Sequence, residues 1–310
     1  MSWKILTGDS RELVKTLDPR SVQTIVTSPP YFGLRDYGID GQIGLESEVE
    51  DYVGALVELF RHARTGLKDD GTLWLNLGDS YAGNNSRASN NGRAGFGTER
   101  EGIFTRIPRG LKTKDLIGIP WRVAFALQAD GWYLRQDIIW HKPNPMPESV
   151  KDRCTKAHEY IFLLSKSQKY YFDYEAIQED SIHYQTDKRA GKGNIKYLDG
   201  KRDGTEGQGQ HAFVTINPKK NKRSVWSVNV KSFREAHFAT FPVELITPCI
   251  LAGSKTGDLV LDPFNGAGTT GVSSIQNGRD YLGFELNPEY VAITEKRLSG
   301  INPLFTQEAI

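Results

Sequence analysis

Along this sequence, short apolar runs alternate regularly with longer segments of helical pattern. Helical patterns occupy residues 48–63, 120–129 and 242–252, and glycines follow the last two directly or within two residues. Strands that alternate with helices predict a mostly parallel sheet with helices on both faces. Seven runs have the length and composition of buried strands, at residues 4–6, 24–27, 72–77, 136–140, 160–164, 259–261 and 281–284.

Length and composition limit the remaining classes. The chain of 310 residues is 38% hydrophobic and 25% charged, which fits one large α/β domain or a core domain with a smaller one attached. It opens with no basic and apolar leader, and no apolar run approaches the roughly 20 residues of a membrane span, so we expect a soluble, cytoplasmic protein. Cys154 and Cys249 form neither a disulfide framework nor a metal-binding spacing.

The net charge of +1 conceals an uneven distribution. Residues 184–234 carry twelve Lys and Arg against four Asp and Glu, and residues 81–114 carry seven against two. The rest of the chain is therefore acidic. Two basic segments on an acidic chain are typical of a groove for a polyanion, and they are equally compatible with two solvated loops. Residues 82–97, rich in Gly, Asn and Ser, predict a mobile loop, and residues 185–224 predict an insertion with little core of its own.

A glycine-rich turn lies between two predicted strands in residues 258–286. The glycines at 266, 268 and 271 satisfy G-x-G-x-x-G, which alone would suggest a dinucleotide-binding fold. However, the first strand ends in Asp262, and a carboxylate there disfavours a pyrophosphate and suits a ligand with a cationic group. Glu285 ends the second strand and can accept hydrogen bonds from both hydroxyls of a ribose. Together they favour S-adenosylmethionine over a dinucleotide.

A second motif, TSPPY at residues 27–31, follows a predicted strand. Because proline has no backbone donor and fixes its own φ, two prolines make a stiff segment rich in acceptors. The carbonyls of Ser28 and Pro29, with the Ser28 hydroxyl, can accept both hydrogens of an exocyclic amine, and Tyr31 offers a face for stacking a base. A base in a duplex reaches such a pocket only by flipping out. The alternative is a proline-rich turn beside a core tyrosine.

With these two motifs in this order, the sequence resembles the β-class, or permuted, amino-methylating DNA methyltransferases. FNGAG at 264–268 matches their FxGxG motif, and residues 237–246 resemble the segment that helps bind the methionine end of the cofactor. The resemblance implies a Rossmann-like S-adenosylmethionine-dependent methyltransferase fold with a mostly parallel seven-stranded sheet. It assigns the target base to Ser28, Pro29, Pro30 and Tyr31. It assigns the cofactor to Asp9, Thr240, Phe241, Pro242, Asp262, Phe264, Gly266, Gly268, Thr269 and Glu285.

The resemblance also implies an organisation of the chain and a set of partners. Residues 1–180 would be the catalytic half, with a mobile loop at 81–115, residues 181–230 a target-recognition insertion, and residues 231–310 the cofactor-binding half. The expected partners are double-stranded DNA and a cognate restriction endonuclease, with the protein acting as a monomer or homodimer. A direct transfer needs no covalent enzyme intermediate and no metal.

The resemblance leaves several functional alternatives open. Within the family SPPY is associated with cytosine N4 and DPPY with adenine N6, so Ser28 favours cytosine, although adenine fits the same chemistry. Methylation of RNA or of a protein amide is a further reading, and a DNA-binding module with an inactive pocket is a reading outside enzymes. Cytosine C5 chemistry would require a nucleophile such as Cys249, which lies on an apolar helical pattern and is expected to be a buried structural cysteine.

Candidate DNA contacts lie in three places. WHKPNPMPES at 140–149 is a stiff loop that could direct Lys142 and Asn144 toward DNA, or could be a rigid crossover. Arg35 follows the SPPY motif closely and either contacts phosphate or pairs with Asp36. The basic end of the insertion adds salt-dependent affinity through Lys219, Lys220, Lys222 and Arg223.

Overall fold

The computed structural model describes residues 1–83, 107–180, 219–231 and 241–301. Most of the predicted mobile loop, residues 84–106, and most of the predicted insertion, residues 181–218, lie outside the described residues. The chain divides into two compact units. The larger comprises Met1–Asp173 and Ser224–Ile310, and the smaller is Tyr174–Arg223.

Ten strands and six α-helices are present in the described ranges. The strands are β1 (Trp3–Thr7), β2 (Val22–Thr27), β3 (Leu67–Leu77), β4 (Tyr133–His141), β5 (His158–Ser165), β6 (Glu179–Asp180), β7 (Lys219–Lys220), β8 (Val225–Ser227), β9 (Leu259–Asp262) and β10 (Asp280–Glu285). The helices are α1 (Ser10–Leu13), α2 (Val49–Gly66), α3 (Ile119–Ala129), α4 (Val243–Gly253), α5 (Thr269–Gln276) and α6 (Pro288–Ser299). Two short 3-10 turns cover Val14–Thr16 and Glu175–Ile177.

Eight of these strands form one sheet in the order β1-β10-β9-β2-β3-β5-β4-β8. Neighbouring strands run parallel except where β5 pairs with β3 and with β4. All seven predicted strands are present in the sheet, and the expected Rossmann-like α/β class is confirmed. The additional strand β8 lies within the range predicted for the insertion and extends the edge of the sheet beside β4.

The two faces of the sheet are buried by different helices, as the alternation of side chains along a strand requires. Every residue of β2 is buried. On one face, Ile25 and Leu73 join the apolar core that includes Leu56 and Phe60 of α2. On the other face, α4 approaches so closely that a Cβ at Gly253 would lie 2.7 Å from the Thr24 hydroxyl. The sheet is thus covered on both sides, which leaves the ends of its strands as the place for a ligand.

The described residues contain no candidate membrane span and no candidate metal cluster. None of their helices combines the length and apolarity that a membrane crossing requires. None of their His, Cys, Asp and Glu side chains cluster in threes as a metal ion would need. Cys249 is buried on α4, as predicted, and Cys154 is exposed.

Candidate active site

The larger unit contains a cleft of about 570 Å³ at the carboxyl ends of its parallel strands. That volume is within the range of roughly 300–1,000 Å³ that small-molecule sites occupy. The loops that follow β1, β2, β9 and β10 all contribute to its lining, which is the edge at which open α/β sheets bind ligands. The two sequence motifs are therefore brought to one cleft, although 235 residues separate Ser28 from Pro263 in the chain.

The glycine-rich turn between β9 and α5 requires glycine at two positions for different reasons. Gly268 has φ +74°, and a Cβ there would lie 2.5 Å from the Thr294 side chain, so packing under the turn excludes a larger residue. Gly266 has φ +51°, and the nearest atom to a Cβ there would be the Phe264 carbonyl oxygen at 3.9 Å. The backbone at Gly266 therefore borders open space in the cleft, which a ligand can approach closely.

Asn265 fixes the shape of this turn from within. Its side-chain amide donates to the carbonyl of Gly266 at 2.8 Å and to the Thr294 hydroxyl at 2.8 Å. Its side-chain oxygen accepts from the Tyr281 hydroxyl at 2.7 Å. Buried polar groups that are fully bonded in this way define a single arrangement of the backbone.

The structure places Asp262 beneath the turn and away from the cleft lining. One carboxylate oxygen accepts from the Thr27 hydroxyl at 2.6 Å and the Phe264 amide at 3.0 Å, and the other accepts from the Thr270 hydroxyl at 2.7 Å. Burial raises the pKa of Asp262 to about 6, and these three bonds act in the opposite direction. Asp262 thus joins β2, β9 and α5 and supports the turn from below. The sequence suggested that it would face the ligand, but it does not line the cleft.

Glu285 does line the cleft. One of its oxygens accepts from the Gly266 amide at 2.7 Å, and the other accepts from the Asn287 amide at 2.9 Å. Burial raises the pKa of this carboxyl, and the two backbone donors oppose the shift. Because an ionised carboxylate has about four acceptor positions, each oxygen retains capacity for a further hydroxyl donor.

The remaining predicted cofactor residues fall into three groups. Asp9, Phe241, Phe264 and Thr269 line the cleft, whereas Pro242 lies at the N-cap of α4 and Thr240 lies outside the described residues. Asp9 caps α1, and its bonds and charge pairing with Arg11 outweigh burial, so the pKa of this carboxyl is lowered. Asp9 thus caps a helix and also borders the cleft, and its contact with a cofactor stays a prediction.

The SPPY segment lines the same cleft, and the orientation of Tyr31 is fixed on two sides. A Cβ at Gly78 would lie 2.4 Å from the Tyr31 ring, so only glycine allows the ring to lie there. The Tyr31 hydroxyl donates to Glu159 at 2.6 Å and lies 3.2 Å from the Asn76 side-chain oxygen. Burial and the Glu159 charge raise the pKa of Tyr31 well above its usual value, so the phenol stays protonated.

The acceptors of the segment are not equivalent. The carbonyl of Pro30 accepts from the hydroxyl of Tyr52 at 2.9 Å, and Tyr52 is itself buried on α2. Pro30 therefore anchors the segment to a helix, and Ser28 and Pro29 line the cleft beside it.

An ion pair backs the tyrosine. Glu159, at the start of β5, accepts from Tyr31 with one oxygen and pairs with the ammonium of Lys142 through the other. The Lys142 and Glu159 side chains are only 18% and 14% exposed, and the ammonium lies 4.3 Å from the centroid of the Trp140 ring. Lys142 was predicted to contact DNA, and the structure shows that its charge is already engaged inside the cleft.

The other predicted DNA contacts also have protein partners. Asn144 bonds the backbone of Val230 twice, donating to its carbonyl at 3.0 Å and accepting from its amide at 2.8 Å. Arg35 lines the cleft, and its own carbonyl accepts from Gln42. Within the smaller unit, β6 and β7 pair antiparallel, with Lys219 and Lys220 facing Asp180 and Glu179 and with Arg223 bonded to Glu179. These roles, like that of Lys222, stay predictions.

The sequence did not identify three residues that contact the SPPY segment, Glu159, Asn76 and Tyr52. Tyr52 looked like an ordinary core residue of an amphipathic helix. The sequence did contain one indication of a role for Glu159, because a carboxylate at the start of the apolar run HEYIFLL is unusual for a buried strand. Its partner, Tyr31, lies 128 residues away, so no local pattern could identify the contact.

Comparisons with known proteins agree with this geometry. The chain matches the N6/N4 DNA methylase family over residues 22–296. It is 51% identical to the type II methyltransferase M.Cfr9I of Citrobacter freundii over 94% of this chain and 86% of that protein. It is 48% identical to M.SmaI of Serratia marcescens over 96% and 91% of the two chains.

Solved structures share the fold at lower identity. The PvuII DNA methyltransferase, described as cytosine-N4-specific, superposes with a TM-score of 0.64 and 19% identity over 99% of this chain and 90% of that one. The M1.HpyAVI complex with S-adenosylmethionine superposes with a TM-score of 0.55 and 17% identity over 96% and 98% of the two chains.

Proposed function

This chain belongs to the N6/N4 DNA methylase family, and we propose that it transfers the methyl group of S-adenosylmethionine to the N4 amine of a cytosine flipped out of duplex DNA. The observation that carries the choice of cytosine is the neutral Ser28 at the head of the acceptor segment, together with the fixed ring of Tyr31 beside it. In the family, serine at this position is associated with N4 of cytosine.

The cofactor end of the cleft fits a nucleoside with a cationic tail. Glu285 has acceptor capacity for ribose hydroxyls, and the backbone at Gly266 borders open space. Phe241 and Phe264 provide apolar lining, and Asp9 adds a carboxylate. When bound, S-adenosylmethionine supplies an activated methyl group on a sulfonium with a good leaving group. We assign Asp262 a supporting role, because its two oxygens hold the turn from below.

The base end is suited to present the amine. We propose that the carbonyls of Ser28 and Pro29 accept the two amine hydrogens and thereby direct the nitrogen lone pair toward the methyl carbon. Tyr31 stacks on the base, held by Gly78 and by the bond from its hydroxyl to Glu159. The new bond joins nitrogen to the methyl carbon as the carbon–sulfur bond breaks, and the amine then releases a proton to water. Catalysis on this account is mainly positioning.

We propose two partners beyond the cofactor. Double-stranded DNA is the substrate, and residues 181–230 read the target, because they occupy the part of the chain in which this family carries its target-recognition residues. The overlapping segment 184–234 has a net charge of +8 and adds salt-dependent affinity for phosphates. A cognate restriction endonuclease is proposed because the curated relatives named above are type II methyltransferases.

The product identifies the base. The purified protein is incubated with unmethylated plasmid and S-adenosylmethionine, the DNA is digested to nucleosides, and the products are identified by mass spectrometry. N4-methyldeoxycytidine is expected. N6-methyldeoxyadenosine would overturn the cytosine assignment and retain the fold and the mechanism, whereas methyl transfer to RNA or protein alone would overturn the DNA substrate.

A further inference from the structure

Among the described residues, the large hydrophobic side chain with the greatest exposure is Met146, at 86%. Met146 also lines the cleft. A side chain that contributes to a cleft and is still almost fully exposed lies at the opening of that cleft. An apolar side chain in this position gains nothing from the fold of the protein itself, because burial is what stabilises an apolar group.

The loop that carries Met146 is held in place. Prolines at 143, 145 and 147 restrict its backbone, and Pro145 and Pro147 flank the methionine directly. Asn144 bonds both backbone groups of Val230, and Glu148 pairs with Arg153. The exposure of Met146 is therefore a property of a fixed loop, which presents the side chain at a defined place.

That place is at the base end of the cleft. Lys142 begins the loop and pairs with Glu159, which binds the Tyr31 hydroxyl. Four residues of extended chain reach at most about 14 Å, so Met146 lies within that distance of the backbone of Lys142. The loop thus brings an exposed apolar side chain close to the residues assigned to the flipped base.

We propose that Met146 enters the DNA base stack and fills the space that the flipped cytosine leaves, an inference that rests on the proposed function. Flipping a base removes its stacking and pairing, at a cost of a few kcal/mol. Apolar side chains, methionine among them, insert between base steps in proteins that deform DNA. The methionine side chain is unbranched and polarisable, so it adapts to the irregular gap between two bases.

The test compares two substrates that differ in the cost of flipping. In one duplex, the sequence that the parent protein methylates in plasmid DNA is fully paired. The other has an abasic position opposite the target base, which weakens its hold in the helix. For Met146→Ala we expect a loss of roughly tenfold in kcat/KM on the paired duplex and roughly parental activity on the abasic duplex. Met146→Leu should retain most of the activity on both.

Val150→Ala is the matched control, since Val150 is an exposed hydrophobic residue (40%) nearby that does not line the cleft. It should behave as the parent on both duplexes. Equal losses for Met146→Ala on the two duplexes, or no loss on either, would overturn the inference. The inference would also be overturned if only Leu34→Ala lost activity on the paired duplex, because Leu34 also lines the cleft and is 53% exposed. Failure of the parent to methylate plasmid DNA would instead overturn the proposed function.

Discussion

The two ends of the cleft are built from different kinds of contact. At the cofactor end, the backbone turn at 264–268 is held by the buried side chains of Asp262 and Asn265 and by Glu285, which bond its amides and carbonyls. At the base end, the shape depends on contacts between side chains, from Tyr31 through Glu159 to Lys142. The cofactor end is therefore part of the folded core, whereas the base end is a network of side chains attached to that core.

This difference predicts how each end responds to substitution. A residue that holds the turn also holds neighbouring strands together, so its loss should reduce stability and cofactor affinity at once. A residue in the network of the base end can change the placement of Tyr31 while the sheet and the turn remain intact. Five substitutions test this contrast, and they follow in decreasing order of the effect we expect.

Asp262→Ala should have the largest effect. It removes the buried acceptor of the Thr27 hydroxyl and the Phe264 amide and leaves the Thr270 hydroxyl only the Val26 carbonyl at 3.2 Å. We therefore expect the free energy of unfolding to fall by about 3 kcal/mol. Cofactor affinity should be lost with it. Urea unfolding and calorimetric titration with S-adenosylmethionine measure the two quantities, and parental affinity in this variant would contradict the supporting role.

Asp262→Asn keeps the volume of the side chain but removes its titratable carboxyl group. Because burial raises the pKa of Asp262 to about 6, the native state holds a proton that the unfolded chain releases near pH 4. The stability of the parent relative to the Asn variant should therefore fall as the pH rises from about 4 to about 6, by up to about 3 kcal/mol, and stay level above that. Urea midpoints across this range measure the difference. A relative stability that increases with pH would contradict the raised pKa.

Glu285→Ala should weaken cofactor binding by roughly 100-fold, because it removes the charged acceptor that we propose for the ribose and leaves the Gly266 amide without its acceptor. Calorimetric titration measures the change. Glu289→Ala is the matched control, since Glu289 is an exposed acid in the first turn of α6, four residues away. Equal losses in the two variants would show that general negative charge, and not the Glu285 site, sets the affinity.

Glu159→Gln should reduce kcat by roughly tenfold without changing cofactor affinity, because it preserves the volume but removes the charge that binds Tyr31 and Lys142. Tyr31→Phe removes the other half of the same bond. If Glu159 acts by positioning Tyr31, the double variant should be little worse than either single variant. Additive losses in kcat would exclude this role.

Tyr52→Phe should have the smallest effect. It removes the hydroxyl that bonds the carbonyl of Pro30, and we expect the free energy of unfolding to fall by about 1 kcal/mol. Urea unfolding measures this loss. A much larger reduction in methyl transfer than in stability would show that the anchor of Pro30 also shapes the acceptors of Ser28 and Pro29.

Local patterns predicted much of this architecture. The seven strands and three helices each have a periodicity that depends only on neighbouring residues, and their limits in the structure differ by at most a few residues, apart from the longer start of β3. Both motifs lie where strands end, so their meeting at one cleft followed from the parallel sheet. The antiparallel pairing of β5 with β3 and β4 was not predictable in this way, because it depends on how distant segments pack.

The partners of individual side chains were the second feature that the sequence did not predict. Asp262 was expected to face the ligand, yet Thr27 on a neighbouring strand and Thr270 on the following helix draw its carboxylate under the turn. The ammonium of Lys142 and the amide of Asn144 were expected to face DNA, but the first pairs with Glu159 and the second bonds the backbone of Val230. A sequence shows which groups can form bonds, but the choice among possible partners is made by the tertiary structure.

The measurement that tests the divided cleft most directly combines cofactor binding with methyl transfer in Tyr31→Ala. We predict that calorimetric titration gives the parental affinity for S-adenosylmethionine, whereas transfer of labelled methyl groups to plasmid DNA falls by roughly 100-fold or more. Loss of cofactor affinity together with transfer would contradict it, because the two ends would then form a single site whose parts cannot be separated.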